Sequence, residues 1–91
     1  MRILLVEDEK RMAQALCGIL RLEEYEVDHY ADGIEGLAAV ESGAYDMVIL
    51  DVMLPGMNGY EIVKRARRKG VTVPVLMLTA KSELDDKVMG L

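Results

Sequence analysis

The chain has no tryptophan and no phenylalanine, and it holds one cysteine, one histidine and two prolines in 91 residues. A single thiol, Cys17, excludes an internal disulfide and fits a reducing cytoplasm. Its place among the apolar positions of a helical pattern makes it a core residue. One cysteine and one histidine do not build a zinc centre. No apolar run approaches the roughly 20 residues that span a bilayer. The opening Met1-Arg2-Ile3-Leu4-Leu5-Val6-Glu7-Asp8 meets acid after four apolar residues, which is not a secretory signal. Bases are the minority charge, 11 against 16 acids, and the net −5 opposes nucleic-acid binding by the domain as a whole. Neither a P-loop nor a calcium-binding Asp-x-Asp-x-Asp-Gly loop is present, and Gly33 with Gly36 makes no dinucleotide fingerprint. No repeat, linker or low-complexity segment divides residues 1–91, so one small domain is expected.

What is present is organised around Met47-Val48-Ile49-Leu50-Asp51-Val52-Met53-Leu54-Pro55-Gly56-Met57-Asn58-Gly59. Four consecutive apolar residues suit a strand buried on both faces of a parallel sheet. Asp51 closes that strand at the carboxyl edge, where open α/β sheets place their chemistry. A carboxylate set against an apolar run is costly unless something compensates it.

Along the chain, Ile3–Val6 reads as a first strand ending in Glu7-Asp8. Glu9–Leu22 reads as a helix with Met12, Ala13, Leu16, Ile19 and Leu20 inward. Tyr25–Tyr30 alternates, with Val27 and His29 opposed to Glu26 and Asp28, as an edge strand should. Asp32 followed by Glu35 marks a helix start, with Ile34, Leu37 and Ala38 as its apolar stripe and Gly43 beyond its end. Met47–Leu50 is the third strand. Gly59–Lys69 is the third helix, with Ile62, Val63 and Ala66 inward and Gly70 as its stop. Val73–Leu78 is a fourth strand with a proline, Pro74, near its start. Ser82-Glu83-Leu84-Asp85 opens a fourth helix.

Strands alternating with helices predict a parallel sheet of right-handed crossovers, and the buried and half-buried patterns favour strand order 2-1-3-4. That order puts a switch point between the first and third strands, and ligands bind in the crevice there. Glu7, Asp8 and Asp51 therefore converge without help from any relative. Three close carboxylates repel one another unless protons or a cation intervene. A few carboxylates completed by water and phosphate suit Mg²⁺ better than Ca²⁺. A carboxylate beside Mg²⁺ is a competent nucleophile toward phosphorus, and Thr79, ending the neighbouring strand, is placed to hydrogen-bond phosphoryl oxygens.

Ile3-Leu4-Leu5-Val6-Glu7-Asp8-Glu9, Leu50-Asp51-Val52-Met53-Leu54-Pro55-Gly56-Met57-Asn58-Gly59 and Leu78-Thr79-Ala80 together resemble the receiver domain of a two-component response regulator. The loop after Asp51 resembles the branch that carries a winged-helix DNA-binding domain. The resemblance implies a flavodoxin-like doubly wound fold. It implies that Asp51 accepts a phosphoryl group from a sensor histidine kinase, switching a cytoplasmic transcriptional regulator. It gives the Mg²⁺ ligands as Glu7, Asp8, Asp51 and the backbone carbonyl of Met53, with Thr79 as the switch hydroxyl and Ala80 leaving room beside it. The chain would then be a phosphoacceptor that takes part in its own phosphorylation and dephosphorylation, not an enzyme acting on others. The family's fifth strand, fifth helix and phosphate-neutralising lysine have no counterpart, and Lys81 lies in the wrong segment to replace that lysine. The chain thus reads as a receiver cut short, touching DNA only through an output domain it does not contain.

The competing expectation is a fragment that folds or dimerises without phosphotransfer, pairing copies through an exposed sheet edge and a half-covered face. A Mg²⁺-dependent phosphatase would want an acid/base carboxylate just after its nucleophile, where Met53 stands. The basic run Lys64-Arg65-Ala66-Arg67-Arg68-Lys69 closes a helix and reads as a solvated face. His29 reads as structural, and the seven methionines as core filler.

Overall fold

The computed structural model describes residues 1–78. The expected fourth helix and the candidates Thr79 and Ala80 lie outside the described residues. Within them the order is β1 (Arg2–Val6), α1 (Lys10–Leu22), β2 (Glu26–Tyr30), α2 (Gly33–Glu41), β3 (Met47–Asp51), α3 (Gly59–Arg68) and β4 (Val75–Leu78). The strands form one sheet in the expected order β2-β1-β3-β4. All three pairings are parallel, and the β1–β3 register sets Val6 beside Leu50.

Each face of the sheet makes its own core. Leu4, Val6, Val48 and Leu50 point to one face and pack with Val40 of α2 and with Ile62 and Ala66 of α3. Ile3, Leu5, Val27 and Ile49 point to the other, where α1 supplies Ala13 and Cys17. This is the two-against-one division that right-handed crossovers require. Burial removes apolar side chains from water on both sides of β1 and β3, which is why these two strands read as unbroken apolar runs.

Three side chains start the helices. Glu9 accepts from the backbone N–H groups of Arg11 and Met12, Asp32 from Glu35, and Asn58 from Glu61. Each satisfies donors that the first helical turn leaves unpaired. The Asn58–Glu61 spacing repeats that of Asp32–Glu35, so the same rule finds it in the sequence.

The inward stripes are narrower than the periodicity predicts. Met12 and Ile19 are 47% and 58% exposed, because α1 meets the sheet along the line of Ala13, Leu16, Cys17 and Leu20, which leaves them beside it. Ile34 is 61% exposed, and its side chain lies against Gly56 of the loop after β3 instead of entering the core. His29 is exposed and does not share the burial of Val27. β2 begins at Glu26 and β4 at Val75, so Tyr25, Val73 and Pro74 are outside the strands. β4 is half-buried with Leu76 exposed, as the outer strand of the described sheet.

At the amino-terminal end of the sheet, opposite charges meet. The Arg2 guanidinium pairs with Asp28 at 3.0 Å and Glu26 at 3.5 Å and lies over the Tyr45 ring at 5.1 Å. The Tyr45 hydroxyl donates to Asp28 at 2.6 Å, and the Arg2 backbone N–H donates to Asp46 at 2.8 Å. Burial first, and then this bond to Asp28, push the Tyr45 phenol up to about 12. Ion pairs also temper the basic end of α3, with Arg65 on Glu61 and Lys69 on Glu41, both at 3.1 Å.

Candidate functional site

β1 and β3 are neighbours, and both end at the carboxyl edge of the sheet. The residues that follow Val6, and Asp51 at the end of β3, are thereby brought together from 44 positions apart, the β1–β3 register being Val6 with Leu50. Glu7, Asp8 and Asp51 each offer a carboxylate oxygen, and these atoms all lie within 4.8 Å of one another. Glu7 is buried, Asp51 half-buried and Asp8 exposed, so the site is a sloping crevice open on the Asp8 side. Among the described residues, the ion pairs leave these three acids without a basic partner.

The electrostatics follow from that placement. Glu7 is only 5% exposed. Burial pushes its carboxyl up to about 7, opposed by the Glu9 backbone N–H that donates to it at 2.9 Å. The charge of Asp51, a hydrogen bond shared with Asp51, and the charge of Asp8 push it in the same direction as burial. Desolvation and like charge both disfavour the ionised form. Burial and like charge therefore favour the protonated form of Glu7 in the metal-free protein.

The loop after Asp51 is pinned at both ends. The Gly59 N–H donates to the Val52 carbonyl at 2.8 Å, and the Gly33 N–H donates to the Pro55 carbonyl at 2.9 Å. Both positions need glycine for space: a Cβ on Gly33 would run into the Met57 backbone oxygen, and one on Gly59 into the Asp51 backbone oxygen. The loop therefore returns across the N-terminus of α2 and holds Met53 beside Asp51, with the Met53 N–H 3.4 Å from Asp51 Oδ1. The Val52 N–H donates to the Leu78 carbonyl at 3.1 Å, which ties the exit of β3 to the end of β4.

Spacing in the sequence does not reveal the contacts that fix β1's exit. Glu9 both caps α1 and donates its N–H to Glu7. The His29 ring Nε2 lies 2.8 Å from the Glu7 backbone carbonyl. A helix-start acid at Glu9 is readable from its position; the His29 contact depends on the β1–β2 register and is not.

An open parallel sheet with an acidic crevice at its switch point defines the class. The sequence model for the response regulator receiver domain matches residues 3–91, and the chain belongs to that family. It is 51% identical over 90 residues to the transcriptional regulatory protein TcrA of Mycobacterium tuberculosis and 47% identical over 91 residues to DltR of Streptococcus agalactiae. The alignments take in 99% and 100% of this chain but 36% and 41% of those proteins. Among solved structures, the response regulator TrrA of Thermotoga maritima, in complex with Mg²⁺ and BeF, has a TM-score of 0.82 at 40% identity, covering 90% of this chain and 71% of that one. The receiver domain of a sensor histidine kinase from Pseudomonas aeruginosa, with a magnesium ion coordinated in its active-site cleft, has a TM-score of 0.82 at 35% identity. That match covers 89% of this chain and 68% of the other. The chain is thus a receiver domain of the two-component response regulator type. Among the described residues, no helix is long and apolar enough to cross a membrane.

Proposed function

We propose that Asp51 is the phosphoacceptor of this receiver and takes its phosphoryl group from a phosphohistidine of a sensor kinase in the cytoplasm. The observation that carries the reading is the convergence of Glu7, Asp8 and Asp51 oxygens within 4.8 Å. An all-oxygen, multiply charged donor set of this kind fits a hard divalent ion, and one that keeps much of its water shell points to Mg²⁺. Glu7, Asp8, Asp51 and the Met53 backbone carbonyl would hold it. The bound ion would supply positive charge to the transferring phosphoryl oxygens.

The chain's own residues do the rest. An Asp51 carboxylate oxygen attacks phosphorus; the new P–O bond forms as the P–N bond breaks, and the nitrogen lone pair stays with the departing imidazole. The strand end and the pinned loop hold that oxygen in place, so little reorganisation is needed in the transfer. The Met53 N–H lies 3.4 Å from Asp51 Oδ1, on the side of the carboxylate that the loop covers. Water attack on the aspartyl phosphate reverses the state. Thr79 and Ala80, next in sequence after β4, are proposed as the phosphate-sensing pair. Where such a chain is part of a longer regulator, DNA recognition belongs to the remainder of that protein, as the names of the relatives suggest.

The test is intact mass after incubation with Mg²⁺ and a small phosphodonor. One phosphoryl adduct is expected, lost in Asp51→Asn and lost when a chelator removes the metal. A folded protein that gains no adduct would sink the proposal. A second reading, association of copies through the outer strand, has one observation in its favour: Leu76 of β4 is 49% exposed. Sedimentation across a concentration series decides it, a monomer throughout counting against it.

A further inference from the structure

We propose that His29 is a positioning residue for the metal-holding turn. The inference rests on the reading of Glu7, Asp8 and Asp51 as the Mg²⁺ site. The backbone ladder between β1 and β2 reaches its end where the Glu7 N–H donates to the Tyr30 carbonyl at 3.1 Å. Beyond Tyr30 the chain leaves the sheet for the Asp32 cap of α2, so β2 has no further N–H to offer the Glu7 carbonyl. The His29 ring takes that role, with Nε2 at 2.8 Å. A carbonyl only accepts, so Nε2 carries the hydrogen and the tautomer is fixed by the contact.

The bonded carbonyl belongs to the peptide that joins Glu7 to Asp8. A peptide is planar, so holding its oxygen fixes its plane, and with it the direction in which the chain enters the Asp8 α-carbon. Glu7 is held separately: its backbone N–H is on Tyr30 and its side chain accepts from the Glu9 N–H. Asp8 is exposed and no ion pair among the described residues holds its carboxylate, so its placement follows the backbone beneath it. His29 itself is solvent-exposed on an outer strand and contributes nothing to the buried core of that face. Its contact with the Glu7 carbonyl is therefore separable from folding.

The experiment titrates Mg²⁺ by calorimetry, at one fixed pH, into the parent, His29→Phe, His29→Ala and His29→Gln, and records the Asp8 amide resonance of each metal-free protein. Loss of the donor in the Phe and Ala variants weakens Mg²⁺ binding by about tenfold, in the range seen when a partner of a metal ligand is removed. Glutamine can place an amide N–H near the ring's Nε2, and brings binding back to within about threefold of the parent. The Asp8 amide resonance moves in the Phe and Ala variants and returns toward its place in the Gln variant. Folded Phe and Ala variants with the parent's affinity and an unmoved Asp8 amide overturn the proposal. A parent that binds no Mg²⁺ overturns the metal-site reading instead, while the Asp8 amide still decides whether His29 sets the turn.

Discussion

At the amino-terminal end of the sheet, Asp28 sits 3.0 Å from the Arg2 guanidinium and 2.6 Å from the Tyr45 hydroxyl. At the carboxyl end, Glu7, Asp8 and Asp51 face one another, and no base among the described residues pairs with them. β1 joins the two clusters, with Arg2 at its start and Glu7 just past its end. One end answers its acids with a cation and an aromatic face, while the other offers backbone N–H groups from Glu9 and Met53 and leaves the charges to repel. Repulsion of this kind is a standing cost to the fold, and a bound cation would relieve it. On the proposed reading of the crevice, the difference separates acids that serve the fold from acids that hold an ion.

The largest effect is expected at Asp8. Asp8→Ala should weaken Mg²⁺ binding on the order of 100-fold, since a direct ligand is worth at least as much as its supporting partners. The metal-free protein should melt at the same or a slightly higher temperature, because one repelling charge is gone; calorimetry and thermal melts read the two effects. Next comes pH. A proton on Glu7 competes with the metal, so Mg²⁺ affinity should rise by up to about tenfold per pH unit below about 7 and level off above it. Without metal the sign reverses for stability. The Glu7 carboxyl rises from its usual 4.5 to about 7 on folding, so the folded state binds the extra proton. The stabilisation is complete below 4.5 and is lost as pH rises through about 7. Glu7→Gln should remove that dependence, its advantage in melting temperature growing from acid to mildly alkaline buffer.

Smaller effects belong to the compensated end. Arg2→Ala removes two half-exposed ion pairs and an aromatic contact, and should cost about 1 kcal/mol in urea unfolding with Mg²⁺ affinity unchanged. Tyr45→Phe loses one hydrogen bond to Asp28 and should cost about 0.5–1 kcal/mol. A change in Mg²⁺ binding in either variant would show that the two ends are not independent.

Strand order and the meeting of Glu7, Asp8 and Asp51 were legible because both follow from apolar runs punctuated by acids. Parallel crossover rules convert that punctuation into a place. Side-chain direction along α1 was less legible, since helical periodicity gives a stripe but not its width. Met12 and Ile19 satisfy the period and remain exposed because the facing sheet is met by Ala13, Leu16, Cys17 and Leu20 instead. Ile34 fits a helix stripe yet packs on the loop at Gly56, a contact made by the chain's return from β3. The His29 bond was illegible for the same reason: it depends on which residue of β2 stands beside the exit of β1. Thr79 stays an expectation drawn from its place after the fourth apolar run and from the family motif, and Ala80 one drawn from the motif.

The β1–β3 pairing also acts as a gauge. Neighbouring strands in any sheet sit about 4.7–4.9 Å apart, a spacing set by the length of the backbone hydrogen bond and indifferent to side chains. With Val6 beside Leu50, Glu7 and Asp51 leave the sheet one such interval apart. The breadth of the acidic crevice is thus calibrated by peptide geometry. Substitution can change which group stands at either jaw, but only a slip of strand register could change the gap.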